Sequence, residues 1–307
     1  KARKQPDKVK QALQKIKTDG LLTTVEAIQH KLDTPLPLGY SNVGTVLEVG
    51  AGIDNLKVGD RVVSNGAHAE IVCVPKNLCA KIPDEVTNKE ATYTVTASIG
   101  LQGVRLLDPK IGETVVVVGL GLIGLLSAQI LLANGCTVIG IDFDDTKLKM
   151  AEKWGVKPIK LDGSNSPVSS VLSLTKNIGA DGVLITASTT SNDVLHHSAE
   201  MCRKRGKIVL VGVIGNEWSR NDFYKKEISF QVSCSYGPGR YDETYEESGQ
   251  DYPLAYVRWT EQRNFQAILS LMSDKKIDTS ELTTKSIKLE DAKDTYNDLL
   301  KDKSLIG

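Results

Sequence analysis

The most constraining feature of the sequence is a glycine-rich turn between an all-valine run and an apolar run of helical character. The order TVVVVG, then LGLIG, then LLSAQILLA gives the spacing GxGxxG. In such a turn the first glycine permits a tight bend, the second lets the backbone approach a pyrophosphate, and the third allows close helix–strand packing. Free amides at the helix start then face the phosphates. The predicted dinucleotide contacts are Gly119, Gly121, Leu122, Ile123 and Gly124.

The next predicted strand, TVIGID, ends on a carboxylate, Asp142, 18 residues beyond Gly124. At that position a carboxylate can accept both hydroxyls of an adenosine ribose, and it repels a 2′-phosphate. The following residues, Phe-Asp-Asp, add negative charge rather than an arginine. The sequence therefore predicts NAD(H) in preference to NADP(H). Lys147 is either a second ribose contact or an ordinary exposed helix lysine.

Strand-like and helix-like segments alternate around this turn. Strands are predicted at 114–119, 137–142, 157–161, 182–187, 207–212 and 228–234, and helices at 122–134, 145–154, 166–178 and 192–202. Continuous apolar strands alternating with helices predict an α/β fold with a doubly wound parallel sheet. Because ligands bind outside the carboxyl ends of such strands, the cleft edge is predicted at Thr186, Ala187, Val211 and Gly212.

Residue composition and predicted secondary structure differ on either side of this region. The first 30 residues are lysine-rich with helical spacing, and GYSNVGTVLEVG, KVGDRVVS and HAEIVCVP predict short strands of a mainly β domain. After Cys234 the chain is aromatic, charged and punctuated by glycine, and a helix is predicted at about 261–274. The predicted division is a substrate domain over 1–109, a nucleotide-binding domain over 110–235, and a loop with a return to the substrate domain over 236–307.

Composition excludes several classes of protein. The 307 residues carry 38 Lys+Arg against 38 Asp+Glu, whereas a nucleic-acid-binding protein normally has a basic balance. No apolar run approaches a membrane span, and five scattered cysteines without a CxxC pair indicate neither a disulfide framework nor a zinc knuckle. A cytoplasmic protein with reduced thiols is expected, acting on neither nucleic acid nor membrane.

The stretch from PLGYSNVGTVLEVG through KVGDRV and HAEIVCVP to VVVVGLGLIG resembles the medium-chain dehydrogenase/reductase superfamily, the zinc-type alcohol dehydrogenases and their zinc-free relatives. The resemblance implies an oxidoreductase with a GroES-like substrate domain. Where the zinc enzymes carry Gly-His-Glu, this chain has Gly39-Tyr40-Ser41, and the lobe with four cysteines is missing. No metal is therefore expected. His68, near Cys73 and Cys79, is the residual ligand candidate, with a packing role favoured.

A narrower resemblance lies in SCSYGPGRYD, GQDYP and YVRWTEQRN. These segments are similar to two-part oxidoreductases in which a dehydrogenase half is fused to a Gfo/Idh/MocA domain, associated with bacterial polysaccharide and glycoconjugate biosynthesis. The resemblance implies a sugar-like substrate and a fused or associated second oxidoreductase. It also implies that this chain is a first half lacking its opening strands.

Without zinc, side chains must polarise the carbonyl and move the proton. The catalytic candidates are Tyr40, Tyr236 and Arg240, with a lysine of the Lys225-Lys226 pair as an alternative proton carrier. Three arginines, Arg240, Arg258 and Arg263, either hold a carboxylate or phosphate of the substrate or pair with the five carboxylates of 242–251.

The sequence thus favours a zinc-independent, NAD-linked oxidoreductase acting on a sugar-like hydroxyl or carbonyl. A non-catalytic NAD or sugar-nucleotide binding module and a quinone-reductase-like enzyme are the alternatives, and Asp142 argues against the second because such enzymes normally use NADPH. The last strand, ISFQVSC, is a natural sheet edge for homodimer pairing.

Overall fold

The computed structural model describes residue 20, residues 37–163, 166–215 and 217–299, residue 302 and residues 304–307. Residues Gly39–Gly307 form one compact unit. The helical pattern predicted for the first 30 residues lies outside the described residues, apart from Gly20. In the described part of the chain, no helix is long and apolar enough to cross a membrane.

Nine strands form two sheets within the described residues. In chain order they are β1 (Asn42–Thr45), β2 (Arg61–Ser64), β3 (Cys79–Lys81), β4 (Thr114–Val118), β5 (Thr137–Asp142), β6 (Lys157–Lys160), β7 (Ala180–Ile185), β8 (Cys202–Leu210) and β9 (Ser229–Val232). The first three strands form an antiparallel sheet. The other six form a parallel sheet in the order β6-β5-β4-β7-β8-β9.

Ten α-helices accompany these strands in the described part. They are α1 (Asn88–Ala91), α2 (Thr94–Leu107), α3 (Leu122–Ala133), α4 (Asp145–Lys153), α5 (Pro167–Leu174), α6 (Asp193–Met201), α7 (Arg220–Tyr224), α8 (Glu243–Glu246), α9 (Glu261–Ser273) and α10 (Ala292–Leu299). Two 3-10 turns lie at Lys76–Leu78 and Leu289–Asp291.

The parallel sheet confirms the predicted doubly wound α/β fold. Strand order reverses at β4, from which the chain proceeds first to β5 and β6 and later to β7, β8 and β9. In β4 the four valines 115–118 are buried, because helices cover both faces of such a sheet. A crevice at the carboxyl ends of β4 and β7, where the order reverses, is where this fold binds ligands.

One predicted strand is wrong. The segment His68–Pro75, with the alternating sequence HAEIVCVP, contains no strand, and the third strand of the small sheet is instead β3. Ile71 in this segment is 74% exposed, so its apolar side chains have no sheet face to bury against. Alternation predicts a strand only where one face is covered.

The sequence interpretation also lacked α2, a 14-residue helix. It packs against β7, β8, α3 and α9, and glycines let it approach closely. A Cβ on Gly100 would lie 2.4 Å from Ser127 Oγ of α3, and one on Gly103 would lie 2.4 Å from a methyl carbon of Val211, just beyond β8. The predicted boundary at 109/110 therefore falls just after a helix that covers the parallel sheet.

A continuous apolar core joins the elements. It includes Val63 in β2, Val104 in α2, Val117 in β4 and Phe265 in α9. Helix α9 packs on both α2 and β3, so it connects the small sheet to the helix that covers the large one.

Candidate cofactor site and active site

The glycine turn after β4 has the geometry that its spacing predicts. Gly119 has a φ of +93°, and a Cβ there would lie 2.7 Å from the backbone nitrogen of Ala187. A Cβ on Gly124 would lie 2.0 Å from the carbonyl oxygen of Gly119. Both positions require glycine, since any side chain would overlap backbone atoms.

The middle glycine differs from these two. A Cβ on Gly121 would meet no described residue within 4 Å, so the described part of the chain leaves the space above this residue open. Gly121 is the N-cap of α3 and supplies no side chain to cap its first turn. The amide groups of that turn, starting with those of Leu122 and Ile123, are thus available to an anion at the helix N-terminus. The residues present fit a dinucleotide pyrophosphate.

Asp142 ends β5 beside this turn and is 6% exposed. Its Oδ2 accepts a hydrogen bond of 2.6 Å from the backbone N–H of Leu120, and its Oδ1 accepts from Phe143 and Asp144 at 2.8 and 3.0 Å. Because a carboxylate has about four acceptor positions, one remains on Oδ2 for a ligand hydroxyl.

Lys147 lies in the first turn of α4, and its side chain is only 13% exposed. Its ammonium lies 3.5 Å from the carboxylate of Asp144 and 6.0 Å from the ring centroid of Phe143. The structure thus places Lys147 near the end of β5, but in an ion pair. Its predicted contact with the ribose remains a prediction.

The four residues predicted at the cleft edge lie beside the glycine turn. The hydroxyl of Thr186 donates to the carbonyl oxygen of Gly119 at 2.5 Å, and Ala187 is the residue against which Gly119 packs. Val211 and Gly212 both donate their N–H groups to the carbonyl of Ile185, the last residue of β7, at 2.8 and 2.9 Å. This edge is a single hydrogen-bonded layer at the carboxyl ends of β4, β7 and β8.

Tyr236, shortly after β9, is 4% exposed and packs against Phe265 with ring centroids 5.4 Å apart. Its hydroxyl oxygen accepts a hydrogen bond of 3.2 Å from Nδ2 of Asn65, which follows β2. Burial raises the pKa of Tyr236. The phenol is therefore protonated at neutral pH, and its own O–H is left to donate.

Arg240 lies near this ring, with Cζ 5.6 Å from the centroid of Tyr236. Its Nη1 donates to Oε1 of Glu246 at 2.5 Å, while its buried Nε has no partner in the described chain. Glu261, in the first turn of α9, is 0% exposed, and neither of its carboxyl oxygens is hydrogen-bonded within the described chain. Burial, reinforced by the carboxylate of Glu246, raises the pKa of Glu261 to about 8.

Tyr40, the third catalytic candidate, is not joined to this group. Its side chain is 51% exposed, and among the described residues no hydrogen bond or ring contact connects it to Tyr236 or Arg240. The nearby Gly39 packs on His68, whose ring stacks on Tyr296 and hydrogen-bonds to its hydroxyl. His68 therefore has a packing contact of the kind favoured from the sequence.

Whether zinc could bind depends on the donor set of the described residues. Within them, no group of three His, Cys, Asp or Glu side chains is arranged to hold a metal ion. Cys73 is exposed and Cys79 is buried, where burial raises the pKa of its thiol to about 11. Neither thiol belongs to a set of three ligands within the described chain, so the residues described here do not fit zinc.

The remaining charged candidates are assigned by their contacts. Lys226 donates to the carbonyls of Ala199, Glu200 and Cys202 at 2.6–3.0 Å. These groups lie at the amino end of β8, the opposite edge from the glycine turn, so Lys226 stabilises the end of α6 and does not carry a proton at the cleft.

Two of the three arginines pair with carboxylates of the segment 242–251: Arg240 with Glu246 and Arg263 with Asp251. Arg258 forms no such pair in the described chain, and it stacks on Trp259.

Sequence reasoning missed Asn65, Glu261 and Arg105. Asn65 was read as part of a turn, and Glu261 has the pattern of an ordinary first-turn acid on α9. Arg105 belongs to α2, which was not predicted at all. Only burial identifies Glu261, and the burial of a carboxylate in the first turn of a helix is not visible in local sequence patterns.

Two family models match the chain. Residues 13–84 match the alcohol dehydrogenase GroES-like domain, and residues 123–249 match the zinc-binding dehydrogenase domain. Among curated relatives, the (R,R)-butanediol dehydrogenase of Bacillus subtilis is 26% identical over 304 residues, which cover 89% of this chain and 80% of that protein. The D-xylulose reductase A of Aspergillus oryzae is 24% identical over 309 residues, covering 88% and 79%.

Among solved structures, the alcohol dehydrogenase TADH from Thermus sp. ATN1 superposes with a TM-score of 0.74 at 22% identity, covering 92% of this chain and 87% of that one. The six-stranded parallel sheet, the small sheet and the glycine turn agree with these matches. The GroES-like domain and the zinc-binding dehydrogenase domain of the medium-chain, zinc-type alcohol dehydrogenase-like superfamily are thus matched in order along the chain. The fold agrees, with a GroES-like domain followed by a Rossmann domain.

Proposed function

We propose that this protein is an NAD-linked oxidoreductase that transfers a hydride to or from a sugar-like carbonyl or hydroxyl without zinc. The observation that carries the proposal is the open approach at Gly121 beside the buried carboxylate of Asp142. The pyrophosphate binds above Gly121 at the helix N-terminus, and the carboxylate of Asp142 accepts a hydrogen bond from a ribose hydroxyl.

The preference for NAD over NADP follows from charge. The Asp142 carboxylate is an acceptor only, and it accepts the backbone N–H of Asp144 at 3.0 Å. A 2′-phosphate at this position would face the negative charge of that carboxylate. Lys147, the cation closest in sequence, is already paired with Asp144.

The proton is assigned to Tyr236. When bound, the nicotinamide supplies or accepts the hydride. In the reducing direction, the phenolic O–H of Tyr236 donates to the carbonyl oxygen, and its proton moves to that oxygen as the carbon accepts the hydride. Asn65 holds the phenolic oxygen in position, and the positive charge of Arg240 stabilises the phenolate until solvent returns a proton. Tyr40, which is exposed, is the weaker candidate for this role.

A sugar-like substrate is supported by the D-xylulose reductase among the relatives and by the sequence resemblance to two-part enzymes of polysaccharide biosynthesis. A role in that biosynthesis, a cytoplasmic location and a fused or associated Gfo/Idh/MocA partner belong to the same proposal. The proposed transfer uses no metal ion, because the donor set of the described residues does not fit one.

The test is a single-turnover measurement of reduced-nicotinamide absorbance with a panel of sugars and nucleotide sugars, preceded by titration with NADH and NADPH. We expect NADH to bind more tightly and at least one sugar to change the absorbance. Tight NADH binding with no turnover on any member would instead indicate a binding module. Preferred NADPH binding with quinone reduction would indicate the quinone-reductase-like alternative.

A further inference from the structure

Two arginine side chains stack on one indole where α2 meets the segment leading into α9. The Cζ atom of Arg105 lies 3.5 Å from the ring centroid of Trp259, and that of Arg258 lies 3.9 Å from it. Two guanidinium groups this close to one centroid would overlap on the same face of the ring, so they lie on opposite faces. Cation–π contact stabilises each pair but neutralises neither charge.

Neither guanidinium group has a counter-ion within the described chain. Among carboxylates of this part of the chain, Asp251 is engaged by Arg263 and Glu246 by Arg240, and Glu261 is buried. Burial, and secondly the like charge of Arg258, lower the pKa of Arg105 to about 10. No carboxylate opposes this effect. The site therefore concentrates two positive charges on either side of one ring.

The hydrogen-bond donors of this cluster are held in place but not used up. Nε of Arg105 donates to Oδ1 of Asn264 at 2.8 Å, which fixes the plane of the guanidinium. Its two terminal nitrogens have no partner in the described residues and are not sealed from solvent. On the other face, the carbonyl of Arg258 accepts from Nε of Arg263 at 2.9 Å, which fixes the backbone carrying the exposed guanidinium.

We propose that Arg105, Trp259 and Arg258 form a binding site for a phosphate monoester, whose oxygens accept hydrogen bonds from both guanidinium groups at the edge of the indole. A phosphate monoester near neutral pH carries close to two negative charges, which match the two unneutralised cations. Arginine binds such oxyanions bidentately, with strong charge-assisted hydrogen bonds.

The site is linked to the cofactor edge through α2. Gly103, two residues before Arg105, packs directly on Val211 at the carboxyl end of β8. A phosphorylated sugar is therefore the substrate class that this site would add to the proposed function, and that part of the inference rests on the proposed function. The binding of phosphate itself does not.

The test is titration of Trp fluorescence, with calorimetry, using inorganic phosphate, a hexose 1-phosphate and the uncharged hexose, in the absence of nicotinamide. We expect saturable binding of the phosphate compounds and none of the hexose. Arg258→Gln should weaken phosphate binding about tenfold or more, since it removes charge-assisted hydrogen bonds. The phosphate affinity of Arg258→Lys should lie between those of the parent protein and Arg258→Gln, because lysine keeps the charge but lacks the planar guanidinium.

The matched control is Arg220→Gln. Arg220 also stacks on an aromatic ring, with Cζ 3.9 Å from the centroid of Tyr224, but as a lone arginine. It should leave phosphate affinity unchanged. Tighter binding of the hexose phosphate than of inorganic phosphate identifies a substrate site, and equal binding identifies a site for free phosphate.

Absence of saturable binding, or equal affinity in the Arg258→Gln variant and the parent protein, would overturn the site. Because these titrations contain no nicotinamide, their failure is separate from failure of the hydride-transfer proposal.

Discussion

The carboxylate of Asp142 accepts a hydrogen bond of 2.6 Å from the backbone N–H of Leu120, within the glycine turn itself. The residue predicted to hold the ribose thus also stabilises the loop predicted to hold the pyrophosphate. Loss of this carboxylate would weaken the binding of any dinucleotide through the turn, whatever happens at the ribose. A comparison of two cofactors separates the two effects.

Asp142→Ala should lower the preference for NADH over NADPH by about tenfold or more, because it removes a charged hydrogen-bond acceptor for the ribose and the repulsion of a 2′-phosphate. The measurement is the ratio of the two dissociation constants, from fluorescence titration. Asp145→Ala is the control, since its exposed carboxylate pairs with Lys160 instead. An unchanged ratio in Asp142→Ala would remove the ribose assignment.

Two glycines of the turn should respond oppositely to the same substitution. Gly121→Ala should leave the melting temperature nearly unchanged, because its Cβ meets nothing, yet weaken NADH binding, because the methyl group occupies the approach of the pyrophosphate. Gly124→Ala should destabilise the fold, since its Cβ would lie 2.0 Å from a carbonyl oxygen. Thermal melts with NADH titrations test both, and full NADH affinity in Gly121→Ala would contradict the site.

Glu261 should make the protein less stable as the pH rises. The pKa of Glu261 is about 8 in the folded state, against 4.5 for a solvent-exposed glutamate. Between these two pH values, therefore, only the folded state holds the proton. Stability then falls with increasing pH by up to about 1.4 kcal/mol per unit, and this loss is complete once the pH passes the folded value.

Glu261→Gln removes that ionisation while keeping the shape of the protonated acid. Urea unfolding should therefore show a variant whose stability relative to the parent rises from about pH 5 to about pH 8. Glu281→Gln, at an exposed ion pair with Lys153, is the control and should show no such trend. Parallel pH profiles for Glu261→Gln and the parent would contradict the buried, protonated state.

Tyr236→Phe should reduce kcat by roughly 10²- to 10⁴-fold, the usual contribution of a general acid, with little change in NADH affinity. The phenyl ring keeps the contact with Phe265, so folding should be preserved. Tyr245→Phe is the matched control, a buried tyrosine of the same loop region. If both variants lose activity equally, the role of Tyr236 is structural.

Strand β9 ends the parallel sheet and exposes apolar side chains, with Phe230 at 42% and Val232 at 61% exposure. An open strand edge of this kind favours pairing with a second copy. Val232→Lys should therefore shift sedimentation from dimer toward monomer without lowering the melting temperature. The control is Leu254→Lys, which changes an apolar residue that is 56% exposed but lies outside β9, and it should leave sedimentation unchanged. A parent protein that is monomeric at all concentrations would contradict the homodimer.

Local patterns predicted the parallel sheet because its strands and helices repeat with clear periods. Helix α3 was expected at 122–134 and occurs at Leu122–Ala133, and β5 was expected and found at 137–142. Helix α2 escaped detection because buried threonine, serine and glutamine interrupt its apolar pattern, and its contacts with neighbouring helices depend on glycines.

The candidate site likewise has one part that local sequence patterns predict and one part that depends on long-range contacts. The dinucleotide turn is local in sequence, and its residues lie together as the motif predicts. The proton-transfer group brings Tyr236 to Asn65, 171 residues earlier, a contact that no short-range pattern specifies. The arginine pairs were left open in the sequence because five carboxylates lay within reach, and tertiary contacts assign Arg240 to Glu246 and Arg263 to Asp251.

Hydrogen bonds between the turn that precedes β3 and the segment that follows the parallel sheet also bear on how the molecule folds. Asn77 donates to the carbonyl of Tyr245, 168 residues later, and Gln262 donates to the carbonyls of Lys76 and Cys79. The turn preceding β3 thus acquires its partners only after the whole parallel sheet has been synthesised. Such distant contacts are slow to form. On the ribosome, the small sheet should therefore lack part of its stabilising contacts until the C-terminal segment emerges.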